Sequence, residues 1–392
     1  MRIGIIFTAD TRLSGTTVRF ERYLEGFRRL GHDSVIVCTR KAAIGFPWAD
    51  VQVPNLTALR DPGLWSSLRL DAAVVLTWLG MPEVMSAIRP QVRYLVSLSD
   101  SDGVVGVRVF PRQLLDRMLV QQHQLLNRLR AAGWWVRQYL WAFKRVDEPV
   151  LTSARLADRI VFYSPRAGRN LQAFFDYHQV PSLGKRVLIA PYPLDTAFVN
   201  APMPAQRENQ IVAIGRWDDP QKDAGLLSHA IARYLRAGGS WKFVILGSNG
   251  EKFFRSLITA YPQLVEYCGV VPQPEVADLL GGSRILLCTS RWESGPIVAS
   301  EALVRGCSVI GPDSIPSFSQ FCRDGCGTSF SVRTARAIVA ALTDEIHAWD
   351  AGRRDPDRIA GQWKEYFTPE AVCRSILDGQ QCGSRMADVV YS

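Results

Sequence analysis

The sequence lacks any run of about 18 uncharged apolar residues, the length that a helix needs to cross a bilayer. Its first ten residues contain only a short apolar stretch and no small-residue cleavage pattern, so a secretory signal peptide is not expected. Low-complexity tracts and internal repeats are also missing. Hydrophobic residues make up 47% of the chain and charged residues 21%, which is typical of a folded globular protein. These features predict a cytoplasmic protein.

Metal-binding spacings are also missing. The eight cysteines are scattered along 392 residues, and a chain of this size does not need disulfides to hold its core together. Cys322 and Cys326 are close in sequence, but no cysteine or histidine follows them at the spacing of metal ligands. We therefore expect reduced core thiols, no bound metal and no cofactor.

The length of the chain exceeds the usual size of a single hydrophobic core, so two domains are expected. Strand and helix signals alternate in both halves. For example, the apolar run Ile3–Thr8 is followed by a helical pattern and then by the run Ser34–Cys38. This order predicts an α/β fold of two Rossmann-like domains with parallel sheets that face each other across a cleft.

The predicted domain limits follow the composition. The first domain covers residues 1–199, and residues 200–209, rich in proline and polar residues, form a linker. The second domain covers residues 210–350. A C-terminal segment, 351–379, precedes a tail, 380–392, where disorder is expected.

Two apolar runs in the second half are followed by charged residues. The predicted strand Gln210–Gly215 precedes Arg216 and Lys222, and the predicted strand Ile285–Ser290 precedes Glu293. Loops at the carboxyl ends of the strands form the ligand-binding edge of an open parallel sheet. These charged residues are therefore expected at a binding site.

A helix is predicted directly after the second of these strands. Pro296 suits its first turn, Ser294 or Gly295 its capping position, and Gly306 its end. The unpaired N–H groups and the dipole at the start of such a helix favour an anion such as a diphosphate, which the two cations would neutralise. Glu301, about a turn and a half into the helix, is placed to accept hydrogen bonds from ribose hydroxyls.

These motifs resemble those of the retaining glycosyltransferases of the group 1, or family 4, type, which have the GT-B fold. The matching segments, in the family's order, are Ile214–Arg216 with Lys222, Leu246–Gly250, Gly269–Val271, and Glu293–Glu301 followed by Ala302. The resemblance implies a metal-independent hexosyltransferase that uses a nucleotide-diphosphate sugar as its donor. It also implies that the first domain binds the acceptor, that the second binds the donor, and that a helix within 351–379 returns to the first domain.

The resemblance further implies a role for each matching residue. Arg216 and Lys222 are expected to contact the donor diphosphate and to stabilise it as it leaves. Glu301 is expected to hold the ribose, and Glu293 to bind hydroxyls of the donor sugar at the catalytic centre. The other expected donor contacts are Gly15, Val271, Ser294, Gly295, Pro296, Ile297 and Val298. Taken singly, a glutamate at a helix start is more often a partner of the helix dipole than a residue that binds a ligand.

The first domain departs from the family's pattern in one respect. Many members carry a histidine at the end of a middle strand, whereas the segment Tyr94–Gly103 has none. Asp100 and Asp102 follow that predicted strand, and they are expected to orient acceptor hydroxyls or to assist proton removal. As part of an Asp-Ser-Asp-Gly turn they need no function at all.

A basic and aromatic stripe runs through the first half. Between Arg112 and Arg145 there are seven basic residues and one acidic residue, Asp116. A helix would place Arg130, Trp134, Arg137, Trp141 and Lys144 on one face, beside an apolar face of Leu125, Leu129, Val136, Leu140 and Phe143. Two interpretations stay open. The stripe contacts an anionic membrane, or the apolar face packs on the first domain and the cations are solvated.

The sequence as a whole predicts transfer of a hexose from a UDP- or GDP-linked donor to a hydroxyl of a lipid-linked or growing surface glycan. The net charge of +9 suits an anionic partner. We expect a cytoplasmic protein at the inner face of the membrane that does not bind nucleic acid. The alternatives are a sugar-nucleotide epimerase of the GT-B fold and a catalytically silent subunit that binds a sugar nucleotide.

Overall fold

The computed structural model describes residues 1–8, 17–43, 49–77, 80–99, 101–122 and 124–379. Two of the predicted site residues, Gly15 and Asp100, lie outside these ranges. In the described part of the chain, strands and helices alternate, as the sequence predicts.

The strands form two sheets. In chain order, β1 to β13 are Arg2–Phe7, Asp33–Thr39, Val51–Val53, Ala72–Thr77, Tyr94–Ser99, Arg159–Phe162, Val187–Ile189, Gln210–Ile214, Lys242–Leu246, Val265–Gly269, Ile285–Leu287, Ser308–Pro312 and Gly327–Phe330. The first sheet has seven strands in the order β3-β2-β1-β4-β5-β6-β7, and the second has six in the order β10-β9-β8-β11-β12-β13. All of the described strand pairs are parallel. The α/β class with two parallel sheets is confirmed.

The helices connect the strands. In chain order, α1 to α17 are Thr17–Arg29, Arg40–Ala43, Pro62–Leu68, Pro82–Ile88, Pro111–Val120, Leu125–Arg137, Phe143–Leu156, Pro165–Tyr177, Thr196–Val199, Ala224–Arg236, Glu251–Ala260, Gln273–Gly282, Ile297–Val304, Pro316–Arg323, Ala335–Asp350, Pro356–Trp363 and Pro369–Asp378. Short 3₁₀ segments cover Leu56–Arg60, Arg89–Gln91 and Pro181–Arg186, and Gln138–Ala142 forms a π-helical segment. Most strands are buried over most of their length, because helices cover both faces of a parallel sheet.

The described chain divides into two compact units. The first contains residues 1–193 and continues from Thr368, and the second contains residues 194–367. The boundary therefore falls before the predicted linker rather than within it. The reason is that Leu194, Phe198 and Val199 are buried in the core of the second unit.

The predicted linker itself is held by two arginines of the second unit. Arg305 donates to the carbonyl oxygens of Ala201 at 2.7 Å and Pro202 at 2.9 Å. Arg207 donates to the carbonyl oxygens of Ser283, at 2.6 Å, and Arg305. Residues 200–209 are therefore a fixed part of the second unit.

The last described helix, α17, packs against α1 in the first unit. The Tyr94 hydroxyl donates to the carbonyl oxygen of Ile376 at 2.9 Å, and Arg29 forms an ion pair with Glu370 at 2.8 Å. A side chain at Gly26 would overlap Pro369 and Cys373, so the two helices approach closely at this glycine. The first unit is thus built from two separate parts of the chain.

The described cysteines are unpaired thiols, most of them buried. Burial raises the pKa of Cys322 to about 12. The Cys326 sulfur lies 2.7 Å from Gln362 Oε1 and accepts from Trp363 Nε1 at 3.3 Å. Within the described ranges, no three histidine, cysteine or acidic side chains are grouped as they would be to hold a metal ion.

Candidate functional site

The candidate site lies in the second unit, at the carboxyl ends of β8 and β11. These strands are neighbours, and the order of the sheet reverses between them, since β9 and β10 lie beyond β8 whereas β12 and β13 lie beyond β11. Loops diverge at such a point and leave a crevice for ligands. Loop 215–223 carries Arg216 and Lys222, and loop 288–296 carries Glu293.

Hydrogen bonds to backbone carbonyl oxygens join the two loops. The N–H of Arg291 donates to the carbonyl oxygen of Gln221 at 2.8 Å, and Gln221 Nε2 donates to the carbonyl oxygen of Trp292 at 2.6 Å. The Thr289 hydroxyl donates to the carbonyl oxygen of Lys222 at 2.8 Å. The charged residues of the two loops are therefore held at fixed positions relative to each other.

Lys222 and Glu293 form an ion pair between the loops. Lys222 Nζ lies 2.5 Å from Glu293 Oε1, and the side chains are only 18% and 11% exposed. The Ser290 hydroxyl donates to the same carboxylate oxygen at 2.7 Å. Burial lowers the pKa of Lys222, as does the charge of Arg216, but the Glu293 carboxylate beside it raises the pKa, which lies above its ordinary value. Lys222 is therefore a cation at neutral pH.

A second charged group lies at the base of the loops. Asp223 has a left-handed backbone conformation, with φ of 53°, and caps α10 by accepting from the N–H of Leu226. Its carboxylate also pairs with Arg291 at 2.9 Å and Arg333 at 2.7 Å. Arg333 donates further to the carbonyl oxygens of Ser290, at 2.6 Å, and Thr289, at 2.8 Å. This side chain thus fixes both loops at once.

Arg216 has a different environment from Lys222. Its guanidinium is 64% exposed and pairs with Asp219 at 2.8 Å within the same loop. The other oxygen of Asp219 accepts from the N–H of Gln221 at 2.9 Å, which fixes the carboxylate. The structure therefore presents one exposed and one largely buried cation, and both lie on the loop where the sequence predicts them.

The helix after β11 begins one residue later than predicted. Pro296 is its N-cap residue rather than part of the first turn, because its carbonyl oxygen accepts from Ala299 and Ser300 while its own ψ, 86°, is not helical. Ser294 and Gly295 are half-buried on the preceding loop. Ile297 and Val298 pack against the core of the unit. Glu301 lies in the second helical turn and is only 6% exposed.

The ends of β9 and β10 complete this edge of the sheet. Gly247 has φ of +115° and donates to the carbonyl oxygen of Gly269 at 2.6 Å. A Cβ at Gly247 would overlap the carbonyl oxygen of Gly215, so only glycine fits between β8 and β9 here. Val271, the predicted base contact, is half-buried against the core of the unit.

Asp102, the described member of the predicted acceptor pair, is engaged within the first unit. Its two carboxylate oxygens accept from the two terminal nitrogens of Arg117, one of them at 2.9 Å. The N–H of Val104 also donates to it at 3.3 Å, and Asn170 donates to its carbonyl oxygen at 2.8 Å. Asp102 therefore links the loop after β5 to α5.

The predicted stripe is exposed. Arg130, Trp134, Arg137, Trp141 and Lys144 are all accessible to solvent. The four apolar residues Leu125, Leu129, Val136 and Leu140 are exposed as well, and Phe143 alone of the predicted apolar face is half-buried. The interpretation that this face packs on the first domain is therefore wrong for those four residues. None of the described helices is long and apolar enough to cross a membrane.

A family comparison covers the part of the chain that holds this site. Residues 198–358 match the family model described as glycosyl transferases group 1. This segment belongs to the group 1 glycosyltransferases. It includes both loops, all of α13 and Arg333, so the predicted resemblance to the group 1 glycosyltransferases is confirmed for this segment. Among curated proteins, none matches the chain by sequence.

Solved structures resemble the whole chain. The structure of the Anabaena protein HepE with UDP has a TM-score of 0.69 at 13% identity, covering 97% of this chain and 99% of that one. The lipopolysaccharide outer core galactosyltransferase WaaB has a TM-score of 0.61 at 15% identity, with 97% and 99% covered. The UDP-GlcNAc 2-epimerase from Neisseria meningitidis bound to UDP-GlcNAc has 0.59 at 11%, with 96% and 99% covered. These likenesses confirm the GT-B fold.

The sequence does not predict several residues of the group 1 segment that support the candidate site. Ser290 bonds to Glu293, Asp219 orients Arg216, and Asp223 and Arg333 join the loops. Ser290 and Asp219 lie close in sequence to the predicted residues, so their proximity is a usable signal. Arg333 follows β13, remote in sequence from both loops, and no motif indicates it.

Proposed function

We propose that this chain transfers a hexose from a UDP- or GDP-linked donor to a hydroxyl of a lipid-linked or growing surface glycan, with retention of anomeric configuration. The family match of residues 198–358 and the likeness to HepE, which was solved with UDP, support a nucleotide-sugar donor. The likeness to the galactosyltransferase WaaB supports a surface glycan as the acceptor. In this proposal the protein acts in the cytoplasm, at the inner face of the membrane.

One observation carries the proposal. Lys222 and Glu293, from the loops after two neighbouring strands, form a largely buried ion pair, and Arg216 is close enough to act electrostatically on Lys222. An exposed guanidinium, a shielded ammonium and a helix start thus share one edge of one sheet. This combination suits a ligand that carries a diphosphate at one end and hydroxyl groups at the other.

The side chains of the group 1 segment then have distinct roles. The Arg216 guanidinium, a planar fork, contacts the diphosphate. The Lys222 ammonium has three N–H donors, so it can keep its bond to Glu293 and still donate to the departing phosphate. We assign the donor sugar to Glu293, the ribose to Glu301 and the nucleobase to the chain near Val271.

The remaining donor contacts and the acceptor belong to the same proposal. Backbone groups from Ser294 to Val298 approach the phosphates and the hexose, and we assign charge neutralisation to the two cations rather than to a metal ion. The acceptor hydroxyl is assigned to Asp100 or Asp102. For Asp102 this role requires its carboxylate to share or leave the ion pair with Arg117.

The test uses the purified full-length chain. A thermal-shift panel of UDP, GDP and their common sugars identifies the donor, since a ligand that binds the folded state raises the melting temperature. With that donor and a glycolipid acceptor, NMR of the product then gives the anomeric configuration. Arg216→Ala and Lys222→Gln are expected to lower the rate of transfer on the order of a hundredfold, because each removes a group that stabilises the leaving diphosphate.

The control is Arg236→Ala, which removes an exposed arginine of α10 outside both loops and is expected to leave the rate unchanged. Near-normal transfer by both site variants would refute the assignment. A donor sugar altered without any acceptor would indicate the epimerase, whose fold is similar. Donor binding without transfer or alteration would indicate the silent subunit.

A further inference from the structure

The helical run from residue 125 to residue 146 exposes an unusual amount of apolar surface. Leu125, Leu126 and Leu129 are 72%, 68% and 61% exposed, and Trp141 is 77% exposed. Most of the large apolar side chains that the described residues expose lie in this run. Contiguous apolar surface of this kind marks an interaction site more often than an isolated exposed residue does.

The orientation of α6 explains the exposure. The residues that face inward are Asn127, Ala131, Trp135 and Gln138, at spacings of four, four and three, and they are half-buried or buried. They are mostly small or polar, whereas the leucines and Val136 lie on the solvent side. A helix on the surface of a soluble protein normally has the opposite arrangement. The outward face therefore requires a partner.

The charge of this face indicates what the partner is. Arg128, Arg130, Arg137, Lys144 and Arg145 are exposed along the run. The sequence has no acidic residue between Asp116 and Asp147, and Asp147 is buried against His178 at 3.0 Å. A face that is both apolar and purely cationic complements a surface with an apolar interior and an anionic boundary. An anionic lipid bilayer has these two properties.

The C-terminal part of the run, residues 135–143, is anchored to the first unit by hydrogen bonds and ring contacts. Arg108 Nε donates to the carbonyl oxygen of Tyr139 at 2.7 Å and Nη2 to that of Leu140 at 3.0 Å, within the π-helical segment. The guanidinium also lies 3.7 Å from the centre of the Phe143 ring, and the Trp135 and Tyr139 rings stack at 5.2 Å. A preformed surface loses little conformational entropy on binding.

We propose that the outward face of residues 125–146 docks on a bilayer that contains anionic lipid. The apolar side chains enter the boundary between headgroups and acyl chains, Trp134 and Trp141 lie at headgroup depth, and the cations meet lipid phosphates. No described helix can span a bilayer, so the attachment is peripheral. The inference rests on the surface of the first unit and does not depend on the transfer reaction.

The experiment measures binding of the full-length chain to vesicles by cosedimentation. We expect binding to vesicles of phosphatidylcholine with phosphatidylglycerol, weaker binding in high salt, and little binding to phosphatidylcholine alone. The charge variant Arg130→Gln/Arg137→Gln/Lys144→Gln loses three cations at about 1 kcal/mol each, which corresponds to roughly a hundredfold weaker binding. The matched control, Lys41→Gln/Arg60→Gln/Arg93→Gln, removes the same charge from exposed positions elsewhere in the first unit and is expected to bind within a fewfold of wild type.

The apolar contribution has its own variant. Leu129→Gln/Leu140→Gln/Trp141→Gln changes only exposed side chains, and it is expected to weaken binding at least tenfold without lowering the melting temperature. Equal loss of binding in the control and the charge variant would overturn the proposal. So would equal binding to neutral and anionic vesicles. A dimer in solution that the apolar variant dissociates would assign the face to a second copy of the chain instead.

Discussion

The Nζ atom of Lys222 lies 2.5 Å from Oε1 of Glu293, although the two residues are on different loops. Each loop follows one of two neighbouring strands, β8 and β11, so the pair closes the gap at the point where the sheet order reverses. With both side chains mostly shielded from water, the pair is a structural link as well as a part of the candidate site. A ligand that binds here contacts Lys222, whose positive charge is already partly neutralised by Glu293.

The strength of the link between Lys222 and Glu293 can be measured by mutation. Glu293→Gln and Lys222→Met each leave a partner charge without its counterion in a shielded place, and each is expected to destabilise the protein. The double variant should lose less free energy of unfolding than the sum of the losses in the single variants, with a coupling free energy of about 1–3 kcal/mol. Urea unfolding of the four proteins measures it. A coupling near zero would show that the pair contributes nothing as a unit.

The pKa of Lys222 gives a prediction with a definite sign. Since its pKa is raised, the stabilisation from this lysine is complete below the ordinary lysine value, about 10.4, and is lost as the pH rises through the folded-state value. Glu293→Gln removes the main group that raises the pKa and leaves the burial that lowers it. The pKa of Lys222 should therefore fall in this variant, and the stabilisation from this lysine should begin to be lost at lower pH.

NMR of chains carrying ¹³C-labelled lysine measures this shift, and Lys222→Met assigns the signal. Lys242 is the internal control, because it pairs with Glu266 at 2.6 Å and not with Glu293. Its titration should be the same in wild type and in Glu293→Gln. A Lys222 signal that titrates identically in both proteins would contradict the assignment of Glu293 as the group that raises the pKa.

Arg333 is predicted to hold the site together without touching the ligand. Arg333→Ala leaves the carbonyl oxygens of Thr289 and Ser290 and the carboxylate of Asp223 without this donor, which is expected to cost about 1–3 kcal/mol of stability. Affinity for the best nucleotide of the thermal-shift panel, measured by calorimetry, should fall with it. Arg336→Ala, an exposed position nearby, should change stability by less than about 0.5 kcal/mol. If the two variants behave alike, Arg333 has no positioning role.

Two glycines of the second unit are expected to respond in opposite directions to alanine. Gly247→Ala places a Cβ against the carbonyl oxygen of Gly215 at a positive φ, so it should destabilise by about 1–3 kcal/mol or more. Gly225 lies in α10 with nothing within 4 Å of the added Cβ, and Gly225→Ala should stabilise by up to about 1 kcal/mol. Chemical unfolding distinguishes them. Equal effects would mean that β8 and β9 separate easily at their ends.

Much of this arrangement is predictable from the sequence because local patterns determine it. The run Gln210–Gly215 contains the observed strand β8, and Arg216 and Lys222 lie on the loop that follows it. The predicted run Ile285–Ser290 likewise contains the observed strand β11, although β11 stops at Leu287. Strand ends are harder to predict than strand centres, since hydrogen bonds to neighbouring strands decide where pairing stops.

What the sequence does not reveal depends on contacts between distant residues. Arg333 reaches Asp223 across the sheet, and Arg117 neutralises Asp102 from a helix that follows it. Charge pairs of this kind carry no periodic signal. The outward face of α6 is a related case, because its periodicity predicts an apolar face but cannot tell which face contacts the domain.

The packing of α17 on α1 has a consequence for how the protein is made. The ribosome synthesises residues 194–367, the whole second unit, before it synthesises α17, the helix that covers α1. Until Val372, Cys373 and Ile376 emerge, the face of α1 that they cover is expected to stay exposed, whereas the second unit already has its whole sequence. The domain that is synthesised first is therefore expected to be the last to mature, and a nascent chain stalled before Thr368 should recruit chaperones through its N-terminal half.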